Sequence, residues 1–132
     1  MGPGREVPTG TVLLVDAANV IGSRPDGWWR DRAGAAAGFV VRVRAAVVAG
    51  HLAGPVVVVL EGASRAGAPE GAADGVEVRH APGSGDDLLV DLAREAADPV
   101  TLVTADRELR GRVRGLGAEL AGPGWFLGLL GD

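Results

Sequence analysis

The chain has no cysteine and no lysine, and it holds only five aromatic residues, three Trp and two Phe. Without cysteine, disulfides and thiolate metal sites are excluded, and a reducing compartment is permitted. Without lysine, all 13 basic residues are arginine; with 22 Gly and abundant Ala, this reads as codon bias more than a binding device. No apolar run approaches the roughly 18 residues of a membrane span, and no basic stretch precedes an apolar signal core. The opening Met-Gly is not followed by Ser or Thr at position 6, which argues against myristoylation. Positive charge is also short: 13 basic residues face 17 acidic ones, for a formal net charge of -4. That balance argues against a generic polycationic grip on nucleic acid.

What is present fits a small, acidic, soluble, cytoplasmic protein. A length of 132 residues suits one domain. Chains of about 150 residues bury roughly 68–70% of their unfolded surface, so a real core is expected. Residues 1–10 are rich in Gly and Pro and read as a flexible N-terminal arm, leaving 11–132 as a single domain.

Short apolar runs alternate with helical spacing along that domain. Thr11 to Val15 reads as a strand buried on both faces, followed by a polar loop through Trp29. From Arg32 to Ala49 the apolar residues Phe39, Val40, Val43, Val47 and Val48 recur at helical spacing. Further strands are expected over 56–60, 76–78, 100–103 and 118–121, and further helices over 86–97 and 107–114. The final GPGWFLGLL is too short to classify. Strands alternating with helices imply βαβ crossovers and a mostly parallel sheet of four or five strands. In such sheets the site lies beyond the carboxyl ends of the strands, where the strand order reverses.

Three apolar strands run into an acid at that end: Asp16, Glu61 and Asp106. Asp86 and Asp87 open a helix that begins at the same edge. If the 11–15 and 100–103 strands are neighbours, Asp16, Asp106 and the Asp86/Asp87 pair converge on one cleft. Packed carboxylates repel unless they share protons or a cation. Oxygen donors without cysteine suit a hard ion, Mg²⁺ or Mn²⁺, able to activate water and stabilise charge in phosphoryl transfer. Each acid also has a plainer reading. Ser84 with Asp87 resembles a capping box, and Asp106 stands where it would cap the next helix. Asp16, followed by Ala-Ala-Asn, has no cap to explain it, and the joint pattern favours a site.

Three segments now carry a resemblance: VDAANVIG (15–22), GDDLLVDLA (85–93) and LVTADRELRGRV (102–113). They look like the signature segments of PIN-like ribonuclease domains, and more closely the NYN branch with its Regnase-type and YacP-like members. The resemblance covers nearly the whole chain. It implies a three-layer α/β/α sandwich, Rossmann-like, and carboxylates around Mg²⁺ or Mn²⁺ for RNA cleavage. By that resemblance Asp16, Asp86, Asp87 and Asp106 hold the metal and Asn19 is the amide that orients the first acid or binds phosphate. Thr104 would support the acids, and Glu61 stands more loosely where relatives carry Asp. Ala17 replaces the usual Gly, and the loop SRPDGWWRDRAG lies outside the common pattern. On a helical wheel Asp86 sits at the edge of the apolar stripe and Asp87 on its far side. Asp91, one turn after Asp87, either extends the cluster or pairs with Arg94.

Trp28 and Trp29 either stack a base, with Arg30 beside them on phosphate, or plug the core under their loop. Arg107, Arg110 and Arg114 share one helical face, either a phosphate track or a solvated surface. His80 is a weak acid–base candidate. The leading expectation is a metal-dependent phosphodiesterase, an endoribonuclease acting on RNA. The alternatives are a nucleoside triphosphate pyrophosphohydrolase using the same metal site on a nucleotide, and an RNA- or partner-binding domain with a degenerate site. A homodimer and a protein partner both stay open, and no membrane is indicated.

Overall fold

The computed structural model describes residues 10–131, so the expected arm over 1–10 lies almost wholly outside the described residues. The first strand, β1 (Val12–Asp16), leads directly into α1 (Ala17–Gly22). A 3₁₀ turn at Trp28–Arg30 then precedes α2 (Arg32–Val48). Next come β2 (Val56–Leu60), a 3₁₀ segment at Gly62–Gly67, β3 (Gly71–Ala73) and β4 (Val76–His80). The second half runs α3 (Gly85–Glu95), β5 (Val100–Val103), α4 (Arg107–Arg114), β6 (Glu119–Ala121) and α5 (Pro123–Leu129).

The six strands form one sheet in the order β3-β4-β2-β1-β5-β6. Every pairing is parallel except the short β3–β4 edge. The strands are apolar on both faces because both faces are covered, and all five residues of β2 are buried. Alternation along β1 divides the core. Leu13 and Val15 pack with Val56, Val58, Phe39, Val43 and Phe126, among others, while Leu14 packs on the other face with Val57, Val59, Leu89, Leu102 and Leu109. The result is three layers: α1, α2 and α5 on one side of the sheet, α3 and α4 on the other.

Three elements were not expected from the sequence. Residues 17–22, read as loop, form α1, because Asp16 caps it and Val20 and Ile21 pack into the core. The 71–73 segment adds an antiparallel edge strand, making six strands rather than four or five. The unclassified C-terminal segment is α5, started by Pro123 and anchored by fully buried Phe126.

The chain runs from β1 outward through β2 to β4, then returns through α3 to place β5 on the opposite side of β1. The order therefore reverses between β1 and β5. The carboxyl ends of these two adjacent strands open the crevice where parallel α/β sheets bind ligands.

Candidate active site at the carboxyl edge

Asp16 ends β1 at this crevice and is 5% exposed. One carboxylate oxygen accepts the Asn19 backbone N–H at 3.3 Å, and the other accepts the Thr104 hydroxyl at 2.9 Å. Asp16 thus has a structural role that the sequence reading denied it: it is the N-cap of α1. The signal was available, since Asp before Ala-Ala-Asn is a good helix start, but the helix that follows is too brief to show a period. Two hydrogen bonds favour the ionised form, yet burial outweighs them. Together with the negative charge of Asp86 and Glu61, burial lifts the Asp16 carboxyl from 3.8 to about 6.

Thr104 and Asn19 tie β1 to β5 across this point. The Thr104 hydroxyl that donates to Asp16 also accepts the Asp106 backbone N–H at 3.1 Å. The Asn19 side-chain oxygen accepts the Ala105 N–H at 2.8 Å, so its amide fixes the turn into α4. Asp106 caps α4 by accepting the Leu109 N–H at 3.0 Å, as its position at a helix start predicted. Arg110 donates its Nε to the Thr104 carbonyl at 2.7 Å. This bond uses one of its five N–H donors and holds the side chain beside the site. Arg107 is exposed at the start of α4.

The middle helix arrives from the other side of β1. Glu61, just beyond β2, accepts the Gly85 N–H at 2.9 Å and so fixes the start of α3. Gly85 allows this approach because a Cβ there would run into the Glu61 carboxylate. The next residue, Asp86, is half-buried, and its carboxyl is pushed up by desolvation first, then by Asp106 and Glu61. Asp87 diverges from Asp86. Its side chain is 70% exposed and pairs with Arg112 at 3.0 Å, linking α3 to α4. That position agrees with its place on the helical wheel, on the far side of the apolar stripe. Ser84 supplies the other half of the capping motif, accepting the Asp87 N–H at 3.1 Å. Asp91 does not extend the cluster but pairs with Arg94 at 3.1 Å. His80 is also occupied, with Nε2 at 2.7 Å from the Ala68 carbonyl.

Glu61 and Asp86 thus stand close enough to Asp16 to raise its proton affinity, and Asp106 and Glu61 do the same to Asp86. The donor chemistry of these four residues, all carboxylate oxygen in a partly buried setting, fits a hard divalent cation. Among the described residues, no three acid or imidazole side chains are already gathered tightly enough to share one ion. The site is a set of mutually repelling acids rather than a preassembled cage, and closure on an ion would require side-chain rotation.

The Trp28–Trp29 loop stands beside this edge. Trp28 is half-buried and Trp29 is 50% exposed, with the rings edge-to-face at 6.0 Å. Arg30 lies over Trp29 at 5.7 Å and Arg32 over Trp28 at 5.1 Å. No helix among the described residues is long and apolar enough to cross a membrane.

No family model matches the chain, and no curated protein matches it. Solved structures do. The crystal structure of a point mutant of Rae1 (YacP) from Bacillus subtilis superposes with a TM-score of 0.68 at 22% identity, covering 92% of this chain and 75% of that one. A second crystal structure of Rae1 (YacP) from the same organism gives 0.61 at 21% identity, covering 91% of this chain and 73% of that one. At this identity the likeness establishes architecture: the chain shares the α/β/α fold of Rae1 (YacP) over nearly its whole length.

Proposed function

We propose that the protein is a metal-dependent phosphodiesterase, an endoribonuclease that cleaves RNA at the carboxyl edge of β1 and β5. The observation that carries this reading is the buried Asp16, set at the reversal of strand order with Asp86 and Glu61 crowding it and Asp106 crowding Asp86. Asp16, Glu61 and Asp106 each hold a helix start, but those separate roles do not account for Asp86 beside them, and a cation would offset the repulsion of the set. The fold shared with Rae1 (YacP) supports the reading, because segments 15–22, 85–93 and 102–113 resemble YacP-like members of the NYN branch.

Asp16, Asp86 and Asp106 would hold Mg²⁺ or Mn²⁺, with Glu61 close by. Such an ion supplies a water of lowered pKa and neutralises charge on the leaving oxygen. Thr104 orients the Asp16 carboxylate, and Asn19 orients the turn that carries Asp106. Asp87 and Arg112 brace α3 against α4 and keep the acidic helix start in place.

The test uses purified protein with Mn²⁺ or Mg²⁺, labelled RNA and free nucleoside triphosphates. RNA cleavage is expected, with Asp16→Asn and Asp106→Asn each lowering it at least about 100-fold, the scale of losing one electrostatic stabiliser. Circular dichroism should show both variants folded. Undiminished cleavage in both would remove the acids from the chemistry. Hydrolysis of nucleotides without cleavage of RNA would move the substrate to a pyrophosphohydrolase reaction.

A further inference from the structure

The loop that carries Trp28 lies outside the segments with a family resemblance, and its indole borders two depressions. The smaller, about 100 Å³, is walled by Trp28, Ile21 and Arg32 and reaches Glu61 at the acid edge. The larger, about 280 Å³, also borders Trp28 and is lined by Val20, Phe39 and Leu127, with Arg24, Asp26 and Arg42 as its charged groups. We infer that these two depressions form a nucleobase-binding track leading away from the acid edge, one unpaired base in each, with Trp28 as the wall between them.

Three observations carry this assignment. The walls are aromatic and aliphatic, and around them three guanidinium groups, Arg24, Arg32 and Arg42, outnumber the acids Asp26 and Glu61, a balance that suits bases joined by phosphates. Arg32 lies over the Trp28 ring at 5.1 Å, so that face of the indole already takes a planar partner. Finally, α2 carries Gly38 at the larger depression, where a Cβ would meet nothing within 4 Å. Glycine in mid-helix weakens a helix relative to other residues, and no neighbour requires it here. Its effect is to keep that wall open.

The inference rests on the phosphodiesterase reading and assigns its substrate a path. It excludes duplex RNA from the track, because paired bases cannot enter two depressions separated by an indole. It also makes the loop, rather than the acids, the element that selects the RNA.

The test measures binding of a fluorescein-labelled eight-nucleotide oligouridylate by anisotropy in an Asp106→Asn background. Adding Trp28→Ala should weaken binding between about 5- and 150-fold, the span of one base–aromatic stack. Arg24→Ala should lower the slope of log affinity against log salt by about 0.7, one single-strand phosphate. Gly38→Leu fills the larger depression and strengthens α2, so it should weaken binding while raising the thermal midpoint. If Trp28→Ala fails to fold, Gly38→Leu decides alone. Equal affinity for the oligouridylate and a duplex of the same length overturns the assignment, as does undiminished affinity in folded Gly38→Leu. Hydrolysis of bis(p-nitrophenyl) phosphate by the native chain reads the acid edge separately. If the native chain is inert there and the variants still lose RNA affinity, the track stands without the phosphodiesterase reading. If it hydrolyses and the variants bind unchanged, the track fails while that reading survives.

Discussion

Asp16 holds a charge where the fold is least able to solvate one. Burial, more than its acidic neighbours, raises its carboxyl to about 6 from 3.8. For an acid raised in this way, the folded protein binds more protons than the unfolded chain between about pH 4 and pH 6. Stability therefore falls as pH rises through that window and then levels. Above it, ionised Asp16 costs the fold roughly 3 kcal/mol, at about 1.4 kcal/mol for each tenfold change in proton affinity. Asp16→Asn removes the charge but keeps an oxygen to accept from Thr104 or from the Asn19 N–H. We expect this variant to be more stable than the native chain at pH 7.5, by about 2–3 kcal/mol, and to gain nothing at pH 4. Denaturant unfolding at the two pH values measures both. A variant less stable at pH 7.5 would mean that the carboxylate is better solvated than its burial indicates. A stabilising substitution that abolishes cleavage is the signature of a residue kept for chemistry.

Among the elements, α3 starts at a close approach within the acid edge. Its first residue, Gly85, sits against Glu61 with no room for a methyl group, and its N–H is held by that carboxylate. Gly→Ala in a helix is ordinarily favourable by about 0.5–1 kcal/mol. Here the sign reverses. Gly85→Ala should cost about 1–3 kcal/mol, because it displaces Glu61 and leaves the helix N–H unpaired. It should also lower cleavage, since Asp86 is the next residue. Equilibrium unfolding in urea gives the first quantity, and a native-like midpoint would show that the edge is soft enough to yield. The same element marks how far sequence reading reached. The helices α2, α3 and α4 and the buried runs of β1, β2 and β5 were legible, and so was the position of Asp16, Glu61 and Asp106 at or beyond strand ends. The short α1 and α5 were not, since six or seven residues show barely two turns of period. Strand β3 was not legible because Gly-Ala-Ala has no strand preference and forms by pairing with β4. The helical wheel separated Asp86 from Asp87, but the Arg112 that pairs with Asp87 stands 25 residues away, where no local pattern reaches.

Over the whole molecule, the formal charge of -4 is not spread as the sequence total suggests. Asp16, Glu61, Asp86 and Asp106 stand at one edge, contributed by the ends of β1 and β2 and the starts of α3 and α4. These positions are separated by up to ninety residues of chain, so an ion held among them would join parts of the fold that come together only in the native state. Such an ion stabilises the folded protein by mass action, about 2.7 kcal/mol at a hundred times its dissociation constant. For a domain of this size that raises the thermal midpoint by about 10 °C. The ion must also displace the proton that burial keeps on Asp16, so the rise should be full at pH 7.5 and much reduced at pH 5. Differential scanning calorimetry with and without millimolar Mn²⁺, at both pH values, tests the expectation. Asp16→Asn should lose the Mn²⁺ response even though it begins from a higher midpoint. The two effects have opposite signs in one variant, which general stabilisation or destabilisation would not produce. A midpoint that ignores Mn²⁺ at pH 7.5 would leave Asp16 and Asp106 as helix caps and remove the cation from the account of their crowding.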